Sequence, residues 1–137
     1  MSYGIVLTDG TTTLDLRDEP IKCFNWFDLY GAPTKHGRNR RIPGQRGTAV
    51  RPRVAGQLRA LLHVMVTGVD HDDVIANLDT LYELLDADET LTVTLHRGTQ
   101  PSVSGTLQVE DPDRPTFRGT NLAVLVPEVT LPDGRLT

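Results

Sequence analysis

Hydrophobic and polar residues alternate along much of the chain with the period of two that is typical of β-strands. The first residues predict a hairpin, because the apolar stretch 5–7 is followed by the turn signal Asp9-Gly10 and by the alternating, β-branched segment 11–16. A third short strand is predicted over residues 21–26. The chain therefore begins as a series of short strands.

After residue 56 the pattern predicts a long strand, a helix and three more strands. The strand covers residues 57–67, with apolar residues on both faces. A helix follows, with Asp70 or Asp72 as its N-cap. Its apolar stripe has helical spacing and consists of Val74, Ile75, Leu78, Leu81, Tyr82 and Leu85. The last strands are predicted near 91–96, 103–110 and 121–131, and Pro127 makes the second half of the last one an edge or a bend.

These elements indicate an α+β fold: a mostly antiparallel β-sandwich with one packed helix and a long extended loop or hairpin. The 137 residues match the usual size of a single domain, so we expect one domain over 1–137. The start of the chain has no secretion signal, and its longest apolar run is too short to cross a bilayer. We expect synthesis in a cytoplasm and no membrane insertion.

Residues 31–56 break the periodic pattern and carry a strong positive charge. Glycines and prolines interrupt the segment, which is longer than ordinary connections and is predicted to be a loop or an extended hairpin used for interaction. Between Leu29 and Val69 there are eight basic residues and no acidic one, which leaves six basic against 18 acidic residues elsewhere. The candidate interface residues of this arm are Arg38, Arg40, Arg41, Arg46, Arg51 and Arg53.

Two partners suit this division of charge. The basic segment of one copy could meet the acidic body of another, since arginines pair well with carboxylates. It could also bind a nucleic acid. The stretch Gly44-Gln45-Arg46-Gly47 matches the G-x-x-G loop of nucleic-acid-clamping KH domains, but Pro43 and Pro52 flank it where that loop needs two helices.

Most of the aromatic residues are clustered just before the arm, at Phe24, Trp26, Phe27 and Tyr30. Such rings either close one end of the core or form a contact between subunits, where large rings are enriched. Trp26, Phe27 and Tyr30 are therefore further candidates for a subunit interface.

Residues that could carry catalysis or bind metal are scattered. The four histidines are far apart in sequence, Cys23 is the single cysteine and is expected to pack inside, and no nucleophile-elbow, zincin or phosphate-loop motif is present. We expect neither an enzyme nor a cofactor or metal site. A hydrolase or ligand-binding sandwich whose site the sequence hides is left open as an alternative.

The sequence resembles the ring-forming N-terminal domain of siphophage distal tail proteins. The likeness is carried by the start Tyr3-Gly4-Ile5-Val6-Leu7, the basic stretch Arg41-Ile42-Pro43-Gly44-Gln45-Arg46-Gly47, the strand ending in Val66-Thr67-Gly68 before the helix, and the end Pro127-Glu128-Val129-Thr130-Leu131-Pro132-Asp133-Gly134. Together these motifs span nearly the whole chain.

This resemblance implies a structural virion protein of a long-tailed phage. The family forms a hexameric ring in the tail-tip baseplate that joins the tail tube to the hub and encloses the DNA channel. The implied partners are further copies of the chain, the tail tube protein, and the hub and tape measure proteins, while DNA passes without specific binding. Tail tube and tail terminator proteins are alternatives with a similar fold, and a small nucleic-acid-binding protein is the alternative from another class.

Overall fold

The computed structural model describes residues 3–30, 35–36, 40–41, 48–49, 54–86 and 90–137. Within them the chain forms one α-helix, one 3-10 helix at Trp26–Leu29 and 14 short or medium strands. The strands before the helix are β1 (Tyr3–Thr8), β2 (Thr13–Asp15), β3 (Ile21–Cys23), β4 (Lys35–His36), β5 (Arg40–Arg41), β6 (Thr48–Ala49), β7 (Val54–Ala55), β8 (Leu58–Leu61) and β9 (Val64–Thr67). Helix α1 (His71–Leu85) is followed by β10 (Leu91–Arg97), β11 (Gln100–Asp111), β12 (Thr116–Phe117), β13 (Leu122–Leu125) and β14 (Glu128–Leu131).

Two larger sheets hold most of these strands. One has six strands in the order β2-β1-β10-β11-β14-β8, and the other has four in the order β12-β13-β9-β3. Every pairing between described strands is antiparallel. In the central strand β10, Leu91, Val93 and Leu95 are buried, as the alternation of its sequence predicts.

Two long strands bend from one sheet into the other. The pairs Leu122↔Thr67 and Leu131↔Leu58 belong to one constant register, although the first lies in the four-stranded sheet and the second in the six-stranded sheet. Between the two halves the N–H of Leu62 donates to the carbonyl of Pro127 at 3.0 Å, which continues the ladder through the bend. The predicted strands 57–67 and 121–131 are therefore each two strands, and Pro127 marks a bend.

Asn25 holds the bend between β8 and β9 from outside the ladder. Its side-chain oxygen accepts from the N–H of His63 at 2.6 Å, and its side-chain amide donates to the carbonyl of Leu61. The N–H of Phe24 also donates to the carbonyl of His63 at 2.9 Å. An amide side chain thus takes the place that a neighbouring strand would fill, which satisfies backbone groups that the bend exposes.

Helix α1 begins where the acidic residues predict. Asp70 is the N-cap, and its carboxylate accepts from the N–H of Asp73 at 2.9 Å, while the carboxylate of Asp73 accepts from the N–H of Val69 at 2.9 Å. The buried side chains of the helix are Val74, Leu78, Leu81, Leu84 and Leu85. Two positions of the predicted stripe differ, since Ile75 is exposed and Tyr82 is only half-buried.

The helix packs on β9 and β13, and both sheets and the helix contribute to one hydrophobic core. The α+β class with mostly antiparallel strands is therefore confirmed, while the sandwich arrangement stays a prediction. No helix within the described part of the chain is long and apolar enough to cross a membrane.

Residues 31–56 contain two short antiparallel pairings that nest inside each other. Strand β4 pairs with β7, and strand β5 pairs with β6. This is the extended-hairpin form of the prediction.

Candidate assembly surface

None of the seven aromatic residues of the protein is buried. Five of them lie near one another: the rings of Tyr3, Trp26 and Phe27 are in contact, Phe24 shares a groove with Tyr3 and Trp26, and Tyr30 lies at Arg97, the strand partner of Tyr3. We call these five residues the aromatic surface. Phe27 is 57% exposed and Tyr30 is 61% exposed. The expectation that these rings close the core is therefore wrong for Phe24, Phe27 and Tyr30.

The 3-10 helix determines which side chains of this segment face outward. A helix of one turn can bury one side, and here Leu29 takes that place with 1% exposure, while Trp26 packs partly against the core. Residues 24–26 were predicted as the end of a strand, but the chain leaves β3 after Cys23 and turns. Phe27 and Tyr30 are left facing solvent as a consequence.

Ring contacts join three members of the aromatic surface. The ring of Tyr3 stacks on Trp26 with a centroid distance of 5.9 Å, and Phe27 meets Trp26 edge-on at 5.9 Å. Tyr3 also lies against Gly98 in the turn between β10 and β11, where a Cβ atom would come within 2.6 Å of the tyrosine oxygen. Gly98 has φ +68, so both its backbone and its neighbour require the absence of a side chain.

Two cations lie over the outer rings. The Lys22 ammonium is 5.5 Å from the centroid of Phe24, and the Arg97 guanidinium is 5.9 Å from that of Tyr30. Arg97 is held in place by hydrogen bonds to the carbonyl of Pro101. Among the described residues the only ion pair is Arg17 with Asp15, so neither Lys22 nor Arg97 has a carboxylate partner there.

Open grooves border the aromatic surface on two sides. One, of about 490 Å³, lies beside Tyr3 and Trp26 and is lined by Lys22 and Asp18 among others. The other, of about 540 Å³, lies beside Tyr30 and Arg97 and reaches Arg135 near the end of the chain. Large rings, cations and grooves together are typical of the anchor residues and pockets of a protein–protein interface.

Strand β8 extends this surface with further apolar area. It is an edge of the six-stranded sheet within the described strands, and the 3-10 helix packs against it. Leu61, at its end, is 53% exposed. An exposed leucine at the end of an edge strand, beside exposed rings, belongs to a surface that proteins usually cover.

Cys23 lies beside the aromatic surface and has no reactive character. The residue is 2% exposed, as expected from the sequence, and burial raises the pKa of its thiol to about 12. Thiolates are the nucleophilic form of cysteine, so this thiol is inert at neutral pH.

The predicted arm joins the aromatic surface through its base. Strand β4 begins five residues after Tyr30, and β7 ends three residues before β8. Arg40 and Arg41 lie in β5, where the structure describes the backbone alone. Arg38, Arg46, Arg51 and Arg53, and the Gly44–Gly47 stretch, lie outside the described residues.

Sequence reasoning missed Tyr3, Lys22 and Arg97 as members of this surface. They are far from residues 24–30 in sequence or carry no apolar signal, and the pairing Tyr3↔Arg97 between β1 and β10 brings two of them together. The sheet register is what identifies Tyr3 and Arg97 as neighbours.

Side chains suited to catalysis or metal binding are not assembled within the described residues. No group of three or more His, Cys, Asp or Glu residues in that part of the chain could hold a metal. The Oγ of Ser102 lies 3.2 Å from the Nδ1 of His96 on the exposed hairpin β10–β11. The nearby carboxylate of Asp15 binds Arg17, which lowers the pKa of that carboxyl.

Comparison with known proteins identifies the fold. No family model and no curated protein sequence matches the chain. A chain in the structure of the phage p2 baseplate in its activated conformation with Sr is similar, with a TM-score of 0.65 and 12% sequence identity over 94% of this chain and 43% of that chain. A chain in the corresponding structure with Ca gives a TM-score of 0.66 and 12% identity over 96% and 44%.

The protein therefore has a fold found in phage baseplates. It spans less than half the length of the baseplate chains that it matches. At this identity the likeness establishes the fold, and the fold agrees with the tail-protein expectation of the sequence.

Proposed function

We propose that this chain is a structural component of a long-tailed phage tail that assembles with copies of itself into a ring. The observation that carries the proposal is the aromatic surface, where Tyr3, Phe27 and Tyr30 are more than half exposed. A monomer gains nothing from ordering rings in water, whereas an assembly buries them. The phage-baseplate fold supplies the setting in which such an assembly is used.

In its finer form the proposal is a hexameric distal tail ring in the virion. It would join the tail tube to the tail-tip hub around the DNA channel, with the tube, hub and tape measure proteins as neighbours. The resemblance to siphophage distal tail proteins supports this position, and a tube or terminator ring of the same fold is the nearest alternative. Closed rotational symmetry would also cover the edge strand β8 in every copy.

The mechanism proposed is assembly and not catalysis. The Ser102–His96 hydrogen bond is the nearest thing to a catalytic pair on the described surface, and the carboxylate that could orient it is bound to Arg17. The acidic excess outside residues 30–68 would favour a lumen that passing DNA does not bind.

The molar mass of the purified protein in solution tests whether it forms a ring. We expect light scattering to give one discrete oligomer at moderate salt, and electron microscopy to show closed rings. The double variant Phe27→Ser, Tyr30→Ser should be a folded monomer. The control is Gln108→Ser, which replaces an exposed side chain on β11 outside the aromatic surface and should leave the oligomer intact.

A DNA-binding titration distinguishes the proposed ring protein from the alternative, a nucleic-acid-binding protein. A wild-type protein that is monomeric at every concentration, and whose DNA affinity falls as salt rises, would contradict the ring and favour a nucleic-acid-binding protein using the arginine arm.

A further inference from the structure

One stripe of helix α1 faces away from the core and is almost entirely acidic. At 100° per residue, Asp72, Ile75, Asp79, Glu83 and Asp86 fall within about 80° of one another, opposite the buried leucines. All five are exposed, and the stripe is about 21 Å long at 1.5 Å per residue. We call it the acidic stripe.

The acidic stripe contains like charges and has no lysine or arginine near it in sequence. Asp79 and Glu83 are four residues apart, a spacing at which like charges repel. Residues 60–96 contain eight acidic residues and neither lysine nor arginine before Arg97, so the surrounding sequence supplies no cation. Ile75, 38% exposed, lies among these carboxylates.

The aromatic surface has the opposite character. Lys22 and Arg97 lie over its rings without a carboxylate partner in the described residues. Seven more basic residues of the sequence lie in the segment between Tyr30 and β8. Asp18 and Asp28 lie nearby and equal these two cations in number, so the opposite character of the surface lies in the cations placed over its rings and not in its net charge.

The two surfaces lie at different ends of the strands that connect them. Strand β9 starts next to the aromatic surface, where Phe24 bonds His63, and runs away from it toward the start of α1. Strand β10 follows the helix and ends at Arg97, about 20 Å from its first residue at 3.3 Å per residue. One molecule therefore cannot bring its own two surfaces together, whereas two copies can.

We infer that the aromatic surface of one copy binds the acidic stripe of the next copy. The contact is heterologous, because it joins two different surfaces, and a heterologous contact that closes on itself forms a ring. Lys22 and Arg97 face the carboxylates, and Ile75 packs among the rings. This inference rests on the proposed ring and adds to it the surfaces that meet.

Charge reversal on each side tests the contact in the full-length protein. Lys22→Glu should weaken association by about a hundredfold, because like charges then face each other, and Glu83→Lys should do the same. The matched control is Glu110→Lys, which makes the same charge change as Glu83→Lys at an exposed position on β11. Circular dichroism should show that all three variants fold.

Mixing the Lys22→Glu and Glu83→Lys proteins gives the sharpest readout. In an equal mixture, the reversed aromatic surface of one variant would meet the reversed acidic stripe of the other, and the unchanged surfaces would meet each other. Assembly should therefore return to near the wild-type level. The combined variant Lys22→Glu, Glu83→Lys should also assemble. Neither recovery is expected if the two surfaces do not meet.

The outcomes test this inference separately from the proposal that the protein forms a ring. A wild-type ring that survives both reversals, or reversals that are not rescued by mixing, would overturn the inference and leave the ring standing. A wild-type protein that never associates would overturn both.

Discussion

The interior of this protein is aliphatic, whereas its aromatic residues lie outside. The buried hydrophobic side chains are leucine, isoleucine, valine, alanine and cysteine, and five of the seven rings belong to the aromatic surface. Aromatic side chains normally supply much of the energy of a core because each buries a large area. Their placement here indicates that the core stabilises the single copy and that the rings are available for contact with another.

Substitution in the core should have the largest effect on the fold. Leu95→Ala removes a fully buried side chain from the central strand β10 and should lower the free energy of unfolding by about 2–5 kcal/mol. Urea unfolding measures it, and Thr94→Ala on the same strand is the control. A loss below about 1 kcal/mol would mean that the site collapses around the cavity.

Alkaline pH should lower the free energy of unfolding because of the buried thiol of Cys23. The folded pKa of about 12 exceeds that of an unfolded thiol, so above pH 9 the unfolded state loses its proton first and is stabilised. The free energy of unfolding should then fall by about 1.4 kcal/mol per pH unit from this group until pH nears 12.

Cys23→Ala isolates that contribution. Its stability should fall less steeply than that of the wild type between pH 9 and 11, while the two proteins should have equal slopes between pH 6 and 8. Parallel curves across the alkaline range would show that the thiol is not responsible.

Asn25 lies between the two regions, since it joins the bend in the ladder to the segment that carries the rings. Asn25→Ala leaves the carbonyl of Leu61 and the N–H of His63 without their partner and should cost about 1–3 kcal/mol. Chemical denaturation of this variant and of Asn121→Ala, an exposed asparagine, gives the comparison. Equal losses in both would mean that water replaces the amide.

The smallest effect on the fold should come from the aromatic surface. Phe27→Ser should change the free energy of unfolding of a dilute, monomeric sample by less than about 0.5 kcal/mol, because the ring is already in solvent. The same substitution should reduce association measured by light scattering. A variant that unfolds easily when dilute would show that Phe27 stabilises the core, and would contradict the distinction between the aliphatic core and the aromatic surface.

The outcome of the sequence reasoning differs between these regions. Alternation identified the main strands, and the apolar stripe and Asp70 identified α1, because both signals are local and repeat over many residues. The antiparallel pairings β4–β7 and β5–β6 agree with the hairpin form predicted for the arm, and Pro127 was expected at an edge or bend. Cys23 was correctly expected to be buried.

What local pattern could not supply was the side on which the rings lie. Four residues of 3-10 helix are too few to show a period, so Trp26, Phe27 and Leu29 look equally apolar in sequence, and only packing decided that Leu29 is the one buried. Packing also decided two positions on α1. Ile75 belongs to the predicted apolar stripe but is exposed, and Leu84 lies outside that stripe but is buried.

The sequence by itself determined where strands and helix form and how charge is divided between the arm and the rest of the chain. The tertiary structure alone decided that two strands bend between sheets, and that Tyr3, Lys22 and Arg97 join the aromatic surface. The reason is physical: periodicity and capping act within a few residues, whereas a bend and a shared surface depend on which distant strands pair, and that is decided when the core is packed.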